Sequence, residues 1–336
     1  MSAEGAGLPP LRLSPLFKQR SWGGRSLIKV MGLPESAADG PIGEAWILSD
    51  LAGTDRTRVD DGAFAGSALR DLIANPEVRS SLMGRTAPES DGSFPLLIKL
   101  LDARENLSVQ THPRDSAGSP ASAAAKHELW VVLRAEKGAR IYRGFRDEVT
   151  KDEIARRARD GSLLDALVSH EVRRGDVIWL PSGVVHALGA GLVVAEIQTP
   201  SDTTYRLWDW NRNDPARALH IEQAVEAAAV GSAQELREIR HVEFDARPAP
   251  GEVRVEPLHR ASRFDVDVIM AGANASWEIA DRGVPVAWTV LDGDVMLTAF
   301  DSEIRRGSAC VIPAVHGTLR ASASGTGASI LVATPR

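Results

Sequence analysis

A single cysteine, Cys310, stands among the 336 residues, which excludes an internal disulfide and a thiolate metal cluster. The default compartment for such a chain is a reducing cytoplasm, and any bound metal must be held by His, carboxylate or amide groups. Basic residues are not in excess: 39 Lys plus Arg face 45 Asp plus Glu, a net charge of −6. The cations are scattered except in "RRARD" (Arg156 to Asp160), so nucleic acid is not an expected partner. No apolar run approaches the roughly 18 to 20 residues that span a bilayer, and "MSAEGAGLPPLRLSP" has no basic stretch leading into an apolar core. Neither export nor membrane insertion is expected. What is present is ordinary for a globular chain, with 43% hydrophobic and 25% charged residues. The length allows one large β-rich unit with attachments, or two to three domains.

From Pro95 onward the chain is a succession of short β runs: "PLLIKLL", "LSVQTH", "HELWVVLRA", "ARIYRGF", then "DVIWLP", "VVHALG" and "LVVAEIQ". Short strands punctuated by Gly and Pro predict a sandwich or barrel. Residues 1–94 read as an N-terminal extension wrapped on that core, with "GSALRDLIANPEVRSSLMG" a short amphipathic helix broken at Pro76. Residues 151–169 read as a helical excursion interrupted at Gly161, splitting the β domain 95–214. The Ala- and Glu-rich stretch 215–242 is a helix-prone connector. Beyond it, "RRGSACVIPAVHGTL" repeats "RRGDVIWLPSGVVHAL" in weaker form, so 243–336 is expected to be a second barrel of the same type.

Four positions stand out as possible ligands. On a strand, Gln110 and His112 in "SVQTHPRD" share one face because successive side chains alternate, and Pro113 ends pairing just after them. Glu128 in "KHELW" and His186 in "LPSGVVHALG" come from other β segments that a barrel can bring to one interior. Two imidazoles, a carboxylate and an amide oxygen suit one borderline divalent ion such as zinc, with room for water or substrate. The histidines outside such blocks, His170, His220, His241 and His259, read as core or surface residues. His316 lies where the internal echo would place a ligand, but no Gln-x-His or Lys-x-Glu accompanies it, so it is expected to bind no metal.

The blocks "PLLIKLLDARENLSVQTHPRD", "KHELWVVL", "RRGDVIWLPSGVVHALGAG" and "AEIQTPSDTTYRLWDWNR" resemble, in order, those of the type I mannose-6-phosphate isomerases. "SWGGRSL" and "GPIGEAWILSD" resemble that family's N-terminal blocks, and "RRGSACVIP" its C-terminal one. The resemblance implies an all-β fold with helical additions, built of two cupin (jelly-roll β-barrel) domains, the first binding metal and the second metal-free. It implies metal ligands at Gln110, His112, Glu128 and His186, active-site groups at Lys126, Asp202 and Arg206, and a substrate-side lysine at Lys99. Departures are Thr111 where Val is usual, His127 where a small residue is usual, and Ala125 where Gly often precedes the lysine.

The implied reaction interconverts mannose 6-phosphate and fructose 6-phosphate through an enediol, with a small sugar phosphate as the partner. One carboxylate among three neutral ligands leaves the ion a charge of about +1, enough to stabilise a developing oxyanion. Lys126 and Arg206 supply fixed positive charge for a phosphate. The C2 proton acceptor is left among a metal-bound hydroxide, Glu196, Asp202, His127 and a Lys126 of depressed pKa, with Lys126 and Asp202 placed first. Asp202 and Arg206 have a plainer reading as an ion pair pinning a loop, and Tyr205, Trp208 and Trp210 as packing aromatics. Trp22 with Gly23 and Gly24 lines the pocket or merely turns the chain. Two other classes compete: an iron-dependent cupin oxygenase, which needs no phosphate clamp, and a non-catalytic sugar-phosphate sensor.

Overall fold

A computed structural model describes residues 7–35, 39–53, 55–114, 125–212, 214–215, 217–231, 236 and 238–336. The N-terminal segment forms β1 (Leu11–Ser14), β2 (Leu16–Gly24), α1 (Ser26–Met31), β3 (Ile42–Leu48), β4 (Arg58–Val59), α2 (Leu69–Ala74) and α3 (Pro76–Met83). Then come β5 (Leu97–Ala103), β6 (Val109–Thr111), β7 (Glu128–Ala135), β8 (Arg140–Phe145), α4 (Lys151–Asp160), α5 (Leu163–Ala166) and β9 (Leu167–Glu171). The middle of the chain continues through β10 (Asp176–Leu180), β11 (His186–Leu188), β12 (Leu192–Gln198), β13 (Tyr205–Trp208), α6 (Ile221–Ala227) and β14 (Arg240–His241). Next are β15 (Val253–Arg260), β16 (Phe264–Ala271), β17 (Ser276–Ile279) and β18 (Val286–Asp292). The last strands are β19 (Val295–Leu297), β20 (Ala309–Ile312), β21 (Leu319–Ala323) and β22 (Ala328–Pro335).

Four antiparallel sheets result: β14-β10-β7-β12-β5-β2-β3, β13-β6-β11-β8-β9, β15-β16-β22-β18-β20-β1-β4 and β17-β21-β19. The two seven-stranded sheets meet across one apolar core that includes Leu129, Val131 and Ile197 on one side and Val268, Leu331 and Ala333 on the other. The five-stranded sheet closes over the outer face of the first (Trp130, Val194, Ile141, Leu188), and the three-stranded sheet over the outer face of the second (Val332, Trp288, Leu297, Ala321). Helices α4, α5 and α6 cover the far side of the five-stranded sheet. The central strands of both large sheets are thus buried on both faces, which is why β5, β12 and β22 read as largely apolar runs. Among the described residues no barrel closes; each half is a pair of facing open sheets, which corrects the barrel expectation.

The N-terminal segment is woven in rather than wrapped on: β1 and β4 pair into the sheet of the C-terminal half, while β2 and β3 pair into the other. Between β1 and β2 stands Pro15, whose missing N–H ends one ladder before the next begins. The break at Pro76 is a true helix start. Asn75 Oδ1 accepts from Glu77 N–H at 3.0 Å, and Pro76 occupies the first turn of α3. In the excursion Thr150 caps α4 and Gly161, at φ 79°, ends it. Its helical part stops at Ala166, short of the expected 169, because Leu167 enters β9. The expected connector helix is limited to α6, and residues 216, 232–235 and 237 of that stretch lie outside the described residues. No helix of the described residues is long and apolar enough to cross a membrane.

The repeated Arg-Arg-Gly has a backbone cause. Gly175 and Gly307, ahead of β10 and β20, sit at φ 95° and 85°, and a Cβ would lie 2.2 Å from Val242 O and 2.6 Å from Met31 O respectively. Gly175→Ala and Gly307→Ala are each expected to cost about 1–2 kcal/mol from the left-handed backbone alone, and more from the contact. Thermal melts of the two variants, both lower than the parent, check this.

Candidate metal centre and active site

Strand alternation delivers the site. In β7, Leu129 and Val131 enter the core between the large sheets, so Glu128 and Trp130 face the five-stranded sheet; in β12, Ile197 faces one way and Glu196 the other. Opposite them, the ladder sets His186 beside Gln110 and Gln110 beside Arg206, a row of cross-strand partners that share one face. His112 follows one residue after the end of β6. The sequence expectation that Gln110 and His112 look into a common space holds.

His112, Glu128 and His186 are buried, and one ligand atom from each lies within 4.8 Å of the others. His112 Nδ1 is 2.9 Å from Thr203 O and His186 Nδ1 is 2.9 Å from Val184 O. Only an N–H can satisfy a carbonyl there, so each Nε2 presents its lone pair inward. These Nε2 atoms stand 3.3 and 3.4 Å from the two Glu128 oxygens. His112 Nε2 and Glu128 Oε2 are buried without a hydrogen bond, the signature of a site built for a ligand they would hold. Gln110 Nε2 lies 3.4 Å from His186 Nε2, and Gln110 Oε1 accepts from Ser108 Oγ at 3.1 Å. Burial lowers the basicity of both imidazoles, His186 to about 4, with Lys126 adding to the effect on each. Burial alone would raise Glu128, yet the Lys126 ammonium and the two histidines hold it well below the carboxylate range. The donor set therefore stands ready deprotonated.

Next to it opens a cavity of about 500 Å³ lined by Gln110, Lys126, Lys99, Glu196, Asp202 and Arg206, with residues of β2 and β3. All eight sequence-predicted site residues thus meet in this one region. Lys126 Nζ is 2.5 Å from Glu128 Oε1. Although burial opposes its charge, Glu128 and Glu196 raise its pKa, so the expectation of a depressed lysine is corrected. Lys99 lies over the Trp46 ring at 4.6 Å, 3.7 Å from Glu196 and 3.5 Å from Asp202. Asp202 is 57% exposed. Glu196 accepts from Trp130 Nε1 at 3.0 Å, and burial, helped by the nearby Glu128 charge, lifts it to about 7. No Asp202–Arg206 ion pair occurs among the described residues; the Arg206 Nε is buried without a partner.

Residues 11–155 match the family model for the catalytic domain of phosphomannose isomerase type I. The Bacillus subtilis mannose-6-phosphate isomerase ManA is 34% identical over 242 residues, covering 70% of this chain and 73% of that protein. The chain belongs to the type I phosphomannose isomerase family. The mannose-6-phosphate isomerase of Streptococcus mutans is 35% identical over 228 residues, 66% of this chain and 68% of its own length. A crystal structure of the B. subtilis mannose 6-phosphate isomerase superposes with a TM-score of 0.80 at 26% identity, over 97% of this chain and 99% of that one. The apo form from Salmonella typhimurium, 16% identical, has the same fold with a TM-score of 0.69 over 98% and 100%.

Residues that sequence reading passed over also line the cavity. Glu44 of β3 lines the cavity, accepts from Arg20 Nε at 2.9 Å and Trp46 Nε1 at 2.5 Å, and is kept below its usual range by Lys99 and Arg20 against the effect of burial. Arg217, from the stretch read only as connector, lines it too. Glu44 carried a readable signal, since "IGEAWIL" is an apolar run with one acidic residue. Trp22 lines the cavity, which decides between its two readings. Tyr205 and Trp208 pack against α4 and α6 rather than toward the cavity, as expected of packing aromatics. His316 approaches Asp281 and the Gly317 carbonyl.

Proposed function

We propose that this chain interconverts mannose 6-phosphate and fructose 6-phosphate, using one divalent ion held by His112, Glu128 and His186 with Gln110 as a fourth donor. The observation that carries the reading is the convergence of three buried ligand groups, with His112 Nε2 and Glu128 Oε2 left without a hydrogen bond, at a cavity rich in lysine and arginine. Gln110 joins by turning its amide, because Ser108 Oγ can accept from Nε2 as readily as it donates to Oε1. Borderline nitrogen and oxygen donors favour zinc. Bound there, the ion supplies a Lewis acid for the oxyanion that develops beside the carbonyl.

The chain's own residues do the rest. Glu196, buried and aimed into the cavity, takes the proton from C2 and returns it to C1, while the hydroxyl proton passes from O2 to O1. Lys126 holds its positive charge next to the reacting oxygens, Lys99 steadies Glu196, and Asp202 acts through Lys99. Arg206 faces the phosphate. We read 95–214 as the domain that supplies the metal ligands and 243–336 as its metal-free partner, with 1–94 and 215–242 contributing strands and cavity residues between them. A buried, unpaired Cys310 suits a reducing cytoplasm.

A coupled assay on purified protein tests the reading. Turnover of mannose 6-phosphate is expected, is lost after chelation and dialysis, and returns with zinc. No turnover by metal-replete protein, or full turnover after verified metal removal, would sink it.

A further inference from the structure

The cavity's cations are not equivalent. Arg20 is committed to Glu44, Lys99 to Glu196 and Asp202, and Lys126 to Glu128. The carboxylates sharing the space are likewise engaged, and Asp214 has a partner. Two guanidinium groups remain. Arg206 makes no side-chain hydrogen bond or ion pair with the described residues, and its charge is pushed down by burial first and by the neighbouring Arg217 next. Arg217 is fixed through one edge: Nε and Nη2 donate to the two oxygens of Asp209 at 2.8 and 3.0 Å, and Nη2 reaches Ser108 Oγ at 3.5 Å. Its Nη1, with two N–H groups, makes no hydrogen bond or ion pair with the described residues.

Asp209 is itself held in place with unusual means. It is buried, accepts Arg212 Nη2 at 2.6 Å as well as Arg217, and precedes Trp210 and Asn211, both at φ 55°. Two consecutive non-glycine residues in the left-handed region cost energy that surrounding contacts must offset. Those contacts are Trp210 Nε1 to Leu107 O at 2.7 Å and Trp208 Nε1 to Asn211 Oδ1 at 3.1 Å. The turn presents Asp209 to Arg217, and a planar fork so fixed loses less freedom on meeting an anion.

The geometry points to Arg217, aimed by the positioning residue Asp209, as the second half of a two-arginine site that with Arg206 binds the substrate's phosphate dianion. This rests on the isomerase reading for its substrate. Two guanidinium groups that line one cavity, Arg206 with its Nε unpartnered and Arg217 with its Nη1 left over from the Asp209 pair, match a tetrahedral dianion, and Arg206 stands one strand from Gln110. Phosphate held there places the far end of the sugar by the metal triad.

Inorganic phosphate is the probe, measured as a competitive inhibitor and by calorimetry. Arg217→Gln is expected to weaken phosphate and to raise KM for mannose 6-phosphate, each about 10- to 100-fold, as for loss of charged hydrogen bonds, with a smaller change in kcat. Asp209→Asn is expected to shift both constants in the same direction by less. Arg217→Lys keeps the charge but not the fork, and serves if the glutamine variant fails to fold; at least a threefold loss of phosphate affinity is expected. Affinity within twofold of the parent in a folded Arg217 variant overturns the assignment. Should the parent not isomerise mannose 6-phosphate at all, the function reading fails while phosphate calorimetry still judges the arginine pair.

Discussion

Glu128→Gln is expected to leave the purified protein without its metal and to lower isomerase turnover about 1000-fold or more. The size follows from the several kcal/mol that a Lewis acid contributes to an oxyanionic transition state. Glutamine keeps the shape but removes the one negative ligand, and a neutral set of two imidazoles and two amides holds a divalent ion poorly. The change also strands the buried Lys126 ammonium 2.5 Å from where Glu128 Oε1 stood. Breaking such a pair costs about 3–5 kcal/mol, so the melting temperature falls as well. His112→Ala separates the two effects, since it removes a ligand but keeps the Lys126–Glu128 pair. Its metal content and turnover should fall alongside those of Glu128→Gln, with a smaller loss of stability in the metal-free state. Metal analysis, the coupled assay and thermal melts check all three readouts. A stoichiometric ion in Glu128→Gln contradicts the assignment.

The β runs after Pro95 were legible because each is apolar, short and bounded by Gly or Pro; "LVVAEIQ" is β12 residue for residue. Which sheet a strand joins was not. β1 and β2 are separated by Pro15 alone, yet one pairs with β20 and the other with β3 and β5. Such pairing is decided by partners from tens to hundreds of residues away, and local pattern carries no trace of it. The same limit explains the barrel. Strand alternation tells which side chains share a face, not whether a sheet closes on itself.

Within the site, the ligands were readable because they cluster at strand ends with recognisable neighbours. Charge state was not, since it depends on distances: Lys126 read as a possible base, but a carboxylate oxygen at 2.5 Å keeps it charged. Arg217 and Glu44 reach the cavity only through tertiary folding, from a loop and from a strand of the N-terminal segment. Glu196 was among the candidates but unranked, because an acidic residue inside an apolar run is equally a ligand, a base or a salt-bridge partner until its surroundings are known.

Those surroundings make Glu196→Gln the other large effect, an expected loss of about 100- to 10,000-fold in kcat, the range for removing a positioned general base. Two carboxylates share this site with opposite environments: Glu128 is held well below its usual value, while burial and the Glu128 charge lift Glu196 from 4.5 to about 7. Carboxyl pairs driven apart in this way divide the labour, the low one staying ionised as a ligand and the high one exchanging protons. A base must be ionised, so kcat/KM of the parent should rise with pH through an acid limb at or below about 7, and Glu196→Gln should lose that limb. Stability of the metal-free protein changes with pH in the opposite sense. The folded chain keeps this proton up to about pH 7 and the unfolded chain releases it near 4.5. The group's contribution is therefore complete below 4.5 and is lost as pH rises through 7. Glutamine, which cannot titrate, should flatten that slope between the two values while leaving metal content intact, and metal loss in Glu196→Gln would assign the residue to the ion instead.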